Sequence, residues 1–303
     1  MSDVAVVEPI EIDLETRPGR PWRLLVSTAW SQHRTKIGAG ITLLIVGIAF
    51  IGPSVAPYEP DQGVENALPF APPSSETWFG TDDLGRDVLS RFLSGGVSVL
   101  VLSGLSTALG IVLGVVVGLT AAYSRGKLDD LLMRTMDVLL SLPQIVFALV
   151  LAATVGPELW LLVLAVGLTT MPRAARVTRG AAVEVVERDF VRAAEAIGLP
   201  RRRILFSEVL PNITSPLIVE TTLRLTFNVA VVAGLSFLGF GLQPPAADWG
   251  LMINENRNGL AIQPWPVVLP VIAIALLTIG TSLIGDGVSR AAIGIERGRS
   301  ARA

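Results

Sequence analysis

Five stretches of this chain run for 20 residues or more without a charged side chain. They are Ile37 to Tyr58 (22 residues), Phe92 to Ser124 (33), Val138 to Pro157 (20), Leu225 to Ala247 (23) and Asn258 to Gly285 (28). A sixth, shorter run covers Leu159 to Pro172. About 20 apolar residues in helical form cross the hydrocarbon core of a bilayer. The shorter run reaches that length by tilting or by borrowing its flanks. Helices buried in a soluble protein would not reach 33 residues without one charge. The expected fold is therefore all-α, a polytopic membrane protein with six transmembrane helices. The charged fraction agrees: 17%, against about 25% in ordinary soluble domains.

The few charges give an orientation, because cytoplasmic loops carry the excess of Lys and Arg. With the N-terminus inside, the N-terminal tail, residues 125–137, residues 173–213 and the C-terminus hold 20 of the 24 basic residues. The outer loops keep Arg86, Arg91 and Arg257, and Arg224 falls within the fifth crossing. The expected layout has a cytoplasmic tail at 1–36, a first crossing at 37–58 and an acidic extracytoplasmic loop at 59–91. A core of five crossings at 92–288 follows, including the cytoplasmic loop 173–213, and then a cytoplasmic tail at 289–303. Residues 1–36 lack an apolar core, so they do not read as a signal peptide. Stable structure is expected only from about Pro21 onward.

Several kinds of chemistry are missing. The chain has no cysteine, which excludes disulfides and thiolate sites. Its single histidine, His33, cannot alone make a metal site or a Ser–His–Asp triad. No catalytic or metal-binding residues are expected. Gly126-Lys127 lacks the glycine that a phosphate-binding Walker loop needs five positions earlier, where Ala121 stands.

Within the crossings, Gly110, Gly114 and Gly118 recur at four-residue intervals, baring one helix face for close approach by another helix. That neighbour belongs either to this chain or to another subunit. The third crossing is expected to kink at Pro143. On the fifth, Glu220, Arg224 and Asn228 form one stripe, with Glu220 placed to pair with Arg224. The charged pair belongs either to the headgroup layer or to a transport path. Asn228, about 12 Å deeper, is the better path candidate. Trp249 and Trp265 suit an interfacial aromatic belt.

The loop 173–213 carries eight arginines and five acids. In it, Phe190, Val191, Ala193, Ala194 and Ile197 follow an amphipathic helical pattern, and Gly198 and Pro200 mark its stop. A second short helix is expected from about Arg201 to Val209, ending before Pro211. Such a hairpin is either a plain basic surface or a helix that enters a groove on a soluble partner. The small residues Ala193, Ala194 and Ala196 would let that partner come close.

The segment Phe190-Val191-Arg192-Ala193-Ala194-Glu195-Ala196-Ile197-Gly198, followed after nine residues by Glu208-Val209-Leu210-Pro211-Asn212, resembles the cytoplasmic "EAA" motif of bacterial ABC importer permeases. Arg192 replaces the usual opening Glu, and Glu208 a usual apolar residue. The match narrows with Gly80-Thr81-Asp82-Asp83-Leu84-Gly85-Arg86-Asp87-Val88-Leu89-Ser90-Arg91. It continues through Leu235-Ser236-Phe237-Leu238-Gly239, Gln243-Pro244-Pro245, Trp249-Gly250 and Gly285-Asp286-Gly287. Together these are similar to dipeptide/oligopeptide permeases of the C-subunit type, over roughly residues 73–295.

The resemblance implies a type I importer permease fold in a bacterial cell membrane, with both termini cytoplasmic. It implies a heterodimer with a homologous permease subunit, two ABC ATPase subunits, an extracytoplasmic substrate-binding protein and a peptide cargo. ATP and Mg2+ would bind the ATPases, not this chain, and no nucleic-acid partner is implied. An acid often found just before the Leu-Ser-Phe-Leu-Gly segment is replaced by Val231-Val232-Ala233, so a non-peptide cargo such as haem or a nickel chelate stays open. A self-contained secondary transporter would show inverted repeats, and none is visible.

Overall fold

The structure is a computed structural model, described here for residues 21–65, 67–124, 126–156 and 158–300. The expectation for the tail before Pro21 lies outside these residues. The chain forms α1 (Pro21–Trp30), α2 (His33–Val55), α3 (Val88–Ser94), α4 (Gly96–Ser124), α5 (Lys127–Ser141), α6 (Gln144–Val155) and α7 (Leu159–Val186). Then come α8 (Asp189–Ala196), α9 (Arg201–Arg203), a π-helical stretch Ile204–Val209, α10 (Leu210–Asn212), α11 (Thr214–Phe237), α12 (Trp249–Asn256) and α13 (Trp265–Ser300). Five helical segments are long and apolar enough to cross a membrane, and the bent pair α5–α6 makes a sixth when taken as one span.

Packing shows that α5–α6 is one span. α4 and α7 run side by side in the same direction, with Gly110 against Thr170, Gly114 against Ala174, and Gly118 against Ala175 and Thr178. The chain between them must therefore travel back along the bundle. It does so against α7: Asp129 meets Arg179, Met136 clusters with Ala175 and Met171, and Ala148 clusters with Leu162. The expected kink at Pro143 is a full break, with the two helices at 85°. Pro143 has no N–H to give, and its ring drives the preceding residue out of the helical region. Leu142 accordingly takes φ −86°, ψ 126°.

The glycine stripe packs within this chain. A methyl group built on Gly114 would lie 2.5 Å from Ala174 Cβ, and one on Gly110 2.6 Å from Thr170 Cβ. The two backbones touch, and side chains at these positions would force them apart.

Several crossings are displaced from the charge-free runs. The fourth continues as helix far beyond Pro172, to Val186, and the sixth runs from Trp265 to Ser300, so the expected C-terminal tail is helical over its described part. A run without charges marks what lies in lipid, whereas a helix continues into water as long as its backbone bonds hold. The fifth crossing starts eleven residues before the run, at Thr214, and ends at Phe237. It stops there because Gly239 takes φ +88°. Gly239 N–H then donates to Ser236 O and Phe240 N–H to Leu235 O, the paired bonds of a Schellman ending.

Trp249 does not sit in an aromatic belt. It is fully buried, stacks on Phe92 at 5.7 Å, and donates its indole N–H to Phe92 O at 2.9 Å. The cause is local: Asp248 caps α12 by accepting from Leu251 N–H at 3.0 Å, which turns the next side chain inward. Trp265 is partly exposed and meets Phe79 edge-on.

At the opposite end of the bundle, α2 and α13 meet head to tail, with Thr35 beside Gly287. Both described chain ends therefore lie at one end of the bundle, together with the segment 187–213. The α4–α7 contact gives a direct test. Gly114→Ala should destabilise the folded chain by about 1–3 kcal/mol through overpacking, read as a lower midpoint in thermal unfolding in detergent. Gly40→Ala, where nothing lies within 4 Å, should leave the midpoint in place.

Candidate functional site: the tip segment and the polar stripe

The tip segment is a firm platform. Val191 and Ala194 of α8, with Ile204, Val209 and Ile213 beyond it, pack into one cluster with Leu119 and Ala122 of α4 and Ala182, Val185 and Val186 of α7. α8 ends as its sequence foretells. Gly198 takes φ +79°, its N–H donates to Glu195 O, and Leu199 N–H donates to Ala194 O, a second Schellman ending.

Burial divides the motif residues. Ala194 supports the platform from inside, so it does not open a surface to a partner, contrary to expectation. Ala193, Ala196, Arg192, Glu195 and Gly198 face outward. Phe190 is 39% exposed, Phe206 53% and Ile197 75%. The second helix does not end before Pro211. It passes through a π-helical stretch and continues as α10 through Leu210 and Pro211 to Asn212. The wider π turn brings the backbone to a residue that cannot donate to the carbonyl four positions back.

One side-chain bond ties α8 to a crossing. Tyr123, at the end of α4, donates its hydroxyl to Glu195 Oε1 at 2.7 Å. The Arg201 guanidinium lies 5.7 Å from the centre of the same ring. Arg192 and Asp189 approach only to 4.0 Å while both are exposed, a pair that contributes little.

The polar stripe of α11 splits in two. Arg224 Nε pairs with Glu220 Oε1 at 2.9 Å, and the guanidinium lies 5.3 Å from the centre of the Phe227 ring. Glu220 sits beside Ser289 of α13, near the end of the bundle that carries the chain ends. Asn228 is buried. Its amide donates to Thr107 Oγ1 at 2.9 Å and its carbonyl accepts from Thr170 Oγ1 at 3.2 Å. It thus joins α4, α7 and α11, with one bond from each side of the amide.

Sequence reasoning missed a charged knot at the far end. Arg86 Nε pairs with Asp82 at 2.6 Å, while its Nη2 reaches Asp83 at 3.2 Å and Glu255 at 3.3 Å. Arg91 Nη2 pairs with Glu255 at 2.7 Å, and its Nη1 donates to Pro60 O at 3.2 Å. The three carboxylates lie close enough together to resemble a cation site, but two guanidiniums already pair with all three. Burial pushes the Asp83 and Glu255 carboxyls up, and the two arginines pull the other way. The 80–91 segment was visible in sequence, but its partner Glu255 lies more than 160 residues away and carries no local signal.

The profile of the family described as "Binding-protein-dependent transport system inner membrane component" matches residues 110–293. The chain belongs to this family. It is 37% identical to the di/tripeptide transport system permease protein DppC of Pseudomonas aeruginosa, over 81% of this chain and 83% of that one. It is 34% identical to the glutathione transport system permease protein GsiD of Pectobacterium atrosepticum, over 88% and 89%. To the dipeptide transport system permease protein DppC of Alkalihalophilus pseudofirmus it is 32% identical, over 88% of each. The chain is thus a multi-pass membrane permease and a component of a transport system.

In this permease Glu255→Ala should remove the nearer of buried Arg91's two acids, leaving Asp82 at 3.3 Å, at a cost of up to about 3–5 kcal/mol. Thermal unfolding in detergent should show a large drop in midpoint, absent from Glu76→Ala on the exposed surface of the 59–87 loop. Tyr123→Phe should loosen α8 alone, raising amide exchange there by up to about tenfold with the global midpoint unchanged.

Proposed function

We propose that this permease forms half of the translocation path of an ATP-driven peptide importer, with a homologous permease subunit as the other half. The distribution of Lys and Arg puts the tip segment and both chain ends in the cytoplasm. Two ABC ATPase subunits, holding ATP and Mg2+, then dock on the tip, and a substrate-binding protein delivers cargo at the far end. ATP hydrolysis resides in those partners, because this chain has no phosphate-binding loop. Relatives named for di/tripeptide, dipeptide and glutathione transport support a peptide cargo.

The observation that carries the reading is the two-sidedness of α8. Its inner face is packed onto α4 and α7, while Phe190 and Ile197 stand in water. Exposed apolar side chains among arginines mark a protein contact. A helix fixed so firmly transmits a push to two crossings. Coupling of this kind requires a two-state bundle that both the ATPases and the cargo bias.

Ile197→Asp tests it in the reconstituted complex with binding protein and peptide. Peptide-stimulated ATP hydrolysis should fall at least about tenfold, the loss of one well-buried apolar contact across an interface, while the membrane subunits remain assembled. Undiminished stimulation overturns the docking role.

A further inference from the structure

Three arginines recur along one side of α7, at 173, 176 and 179, each three residues from the next. α5 gives an acid to two of them. Asp137 pairs with Arg176, and Asp129 holds Arg179 through two bonds of 2.5 and 2.6 Å. α5 then ends at Ser141, and Leu142-Pro143 swings the chain away by 85°. At the level of Arg173 there is consequently no acid from α5. Among the described residues Arg173 makes no hydrogen bond or ion pair. It lies near enough to Arg224 for the like charges to repel, and Arg224's own acid, Glu220, is engaged at 2.9 Å.

Arg173 faces a cavity of about 260 Å³. The break itself, residues 139–144, forms one wall, and Thr169 and Arg173 form the other. The level lies within the span of α4, for the adjacent Ala174 touches Gly114, while Arg173 itself is exposed on the outer side of α7. From Gly114, α4 runs ten further uncharged residues, about 15 Å, to Ser124. A cation without an acid at such a level requires a counter-anion or water, and a guanidinium offers a fork of donors matched to carboxylate or phosphate oxygens.

We propose that the notch at the α5–α6 break is an oxyanion site, with Arg173 as its binding residue and Thr169 and the Gln144 amide beside it. A cargo carboxylate and a lipid phosphate share this chemistry. The cargo source rests on the importer reading above.

The test uses the purified complex of both permease subunits and both ATPases. In neutral detergent, saturation-transfer NMR compares N-acetyl-dialanine with its carboxamide. In nanodiscs, mass spectrometry compares retained phosphatidylglycerol with phosphatidylcholine. The wild type should prefer one of the anions over its neutral counterpart by about tenfold. Arg173→Gln should erase that preference, Arg173→Lys should keep most of it, and Arg176→Gln should leave it intact. No preference in the wild type, or one unchanged in Arg173→Gln, overturns the site. So does an Arg173→Gln complex that falls apart into subunits, which would put a partner's acid against Arg173. Peptide uptake is read separately: its absence alongside an intact anion preference defeats the importer reading and leaves the site standing.

Discussion

The backbone contact between α4 and α7 governs the arrangement of the rest. Two parallel helices can lie this close only where one of them has no side chains, and Gly110, Gly114 and Gly118 supply that strip. Because the pair is parallel, the intervening chain must recross, and α5–α6 is confined to the outside of α7. The same pair offers its far turns, around Leu119 and Ala182, as the bed on which α8 and the π-helical stretch pack. Closing the α4–α7 gap therefore positions the tip as well as the crossings.

Polar contacts fasten this scaffold at three levels. At the tip Tyr123 holds Glu195. Midway, Asn228 is shared between Thr107 and Thr170, so three helices are pinned through one amide. At the far end Arg86 and Arg91 join the 59–87 loop to α12 through Glu255. Inside a membrane bundle there is little hydrophobic gain from bringing helices together, so small-residue packing and such hydrogen bonds carry the specificity.

Much of the fold was legible in sequence because bilayer physics is written in composition. The uncharged runs located the crossings, and Gly198 located the end of α8. The boundaries were less legible, since a helix can leave the membrane without changing its backbone, as α7 does beyond Pro172. Contacts between distant residues were not legible at all. Glu220 and Arg224 pair as their four-residue spacing foretells, but nothing local tells that Asn228, one turn on, faces inward to two threonines. Trp249 misled for the same reason: its composition suits an interface, while the cap made by Asp248 decides where it points. In the tip motif, alternation could not tell which of Ala193 and Ala194 would face the platform, because both are small and apolar.

The far-end knot has a consequence for how the chain is made. Arg91 and the nearer of its two acids, Glu255, are 164 residues apart. At roughly 5–20 residues per second, a ribosome takes about 8–33 seconds to bring the second after the first. Throughout that interval Arg91 has only Asp82, at 3.3 Å, and the Pro60 carbonyl as partners, and the link from the 59–87 loop to α12 is missing. The knot at that end is therefore completed only when α12 arrives, after five of the crossings and before α13, the sixth.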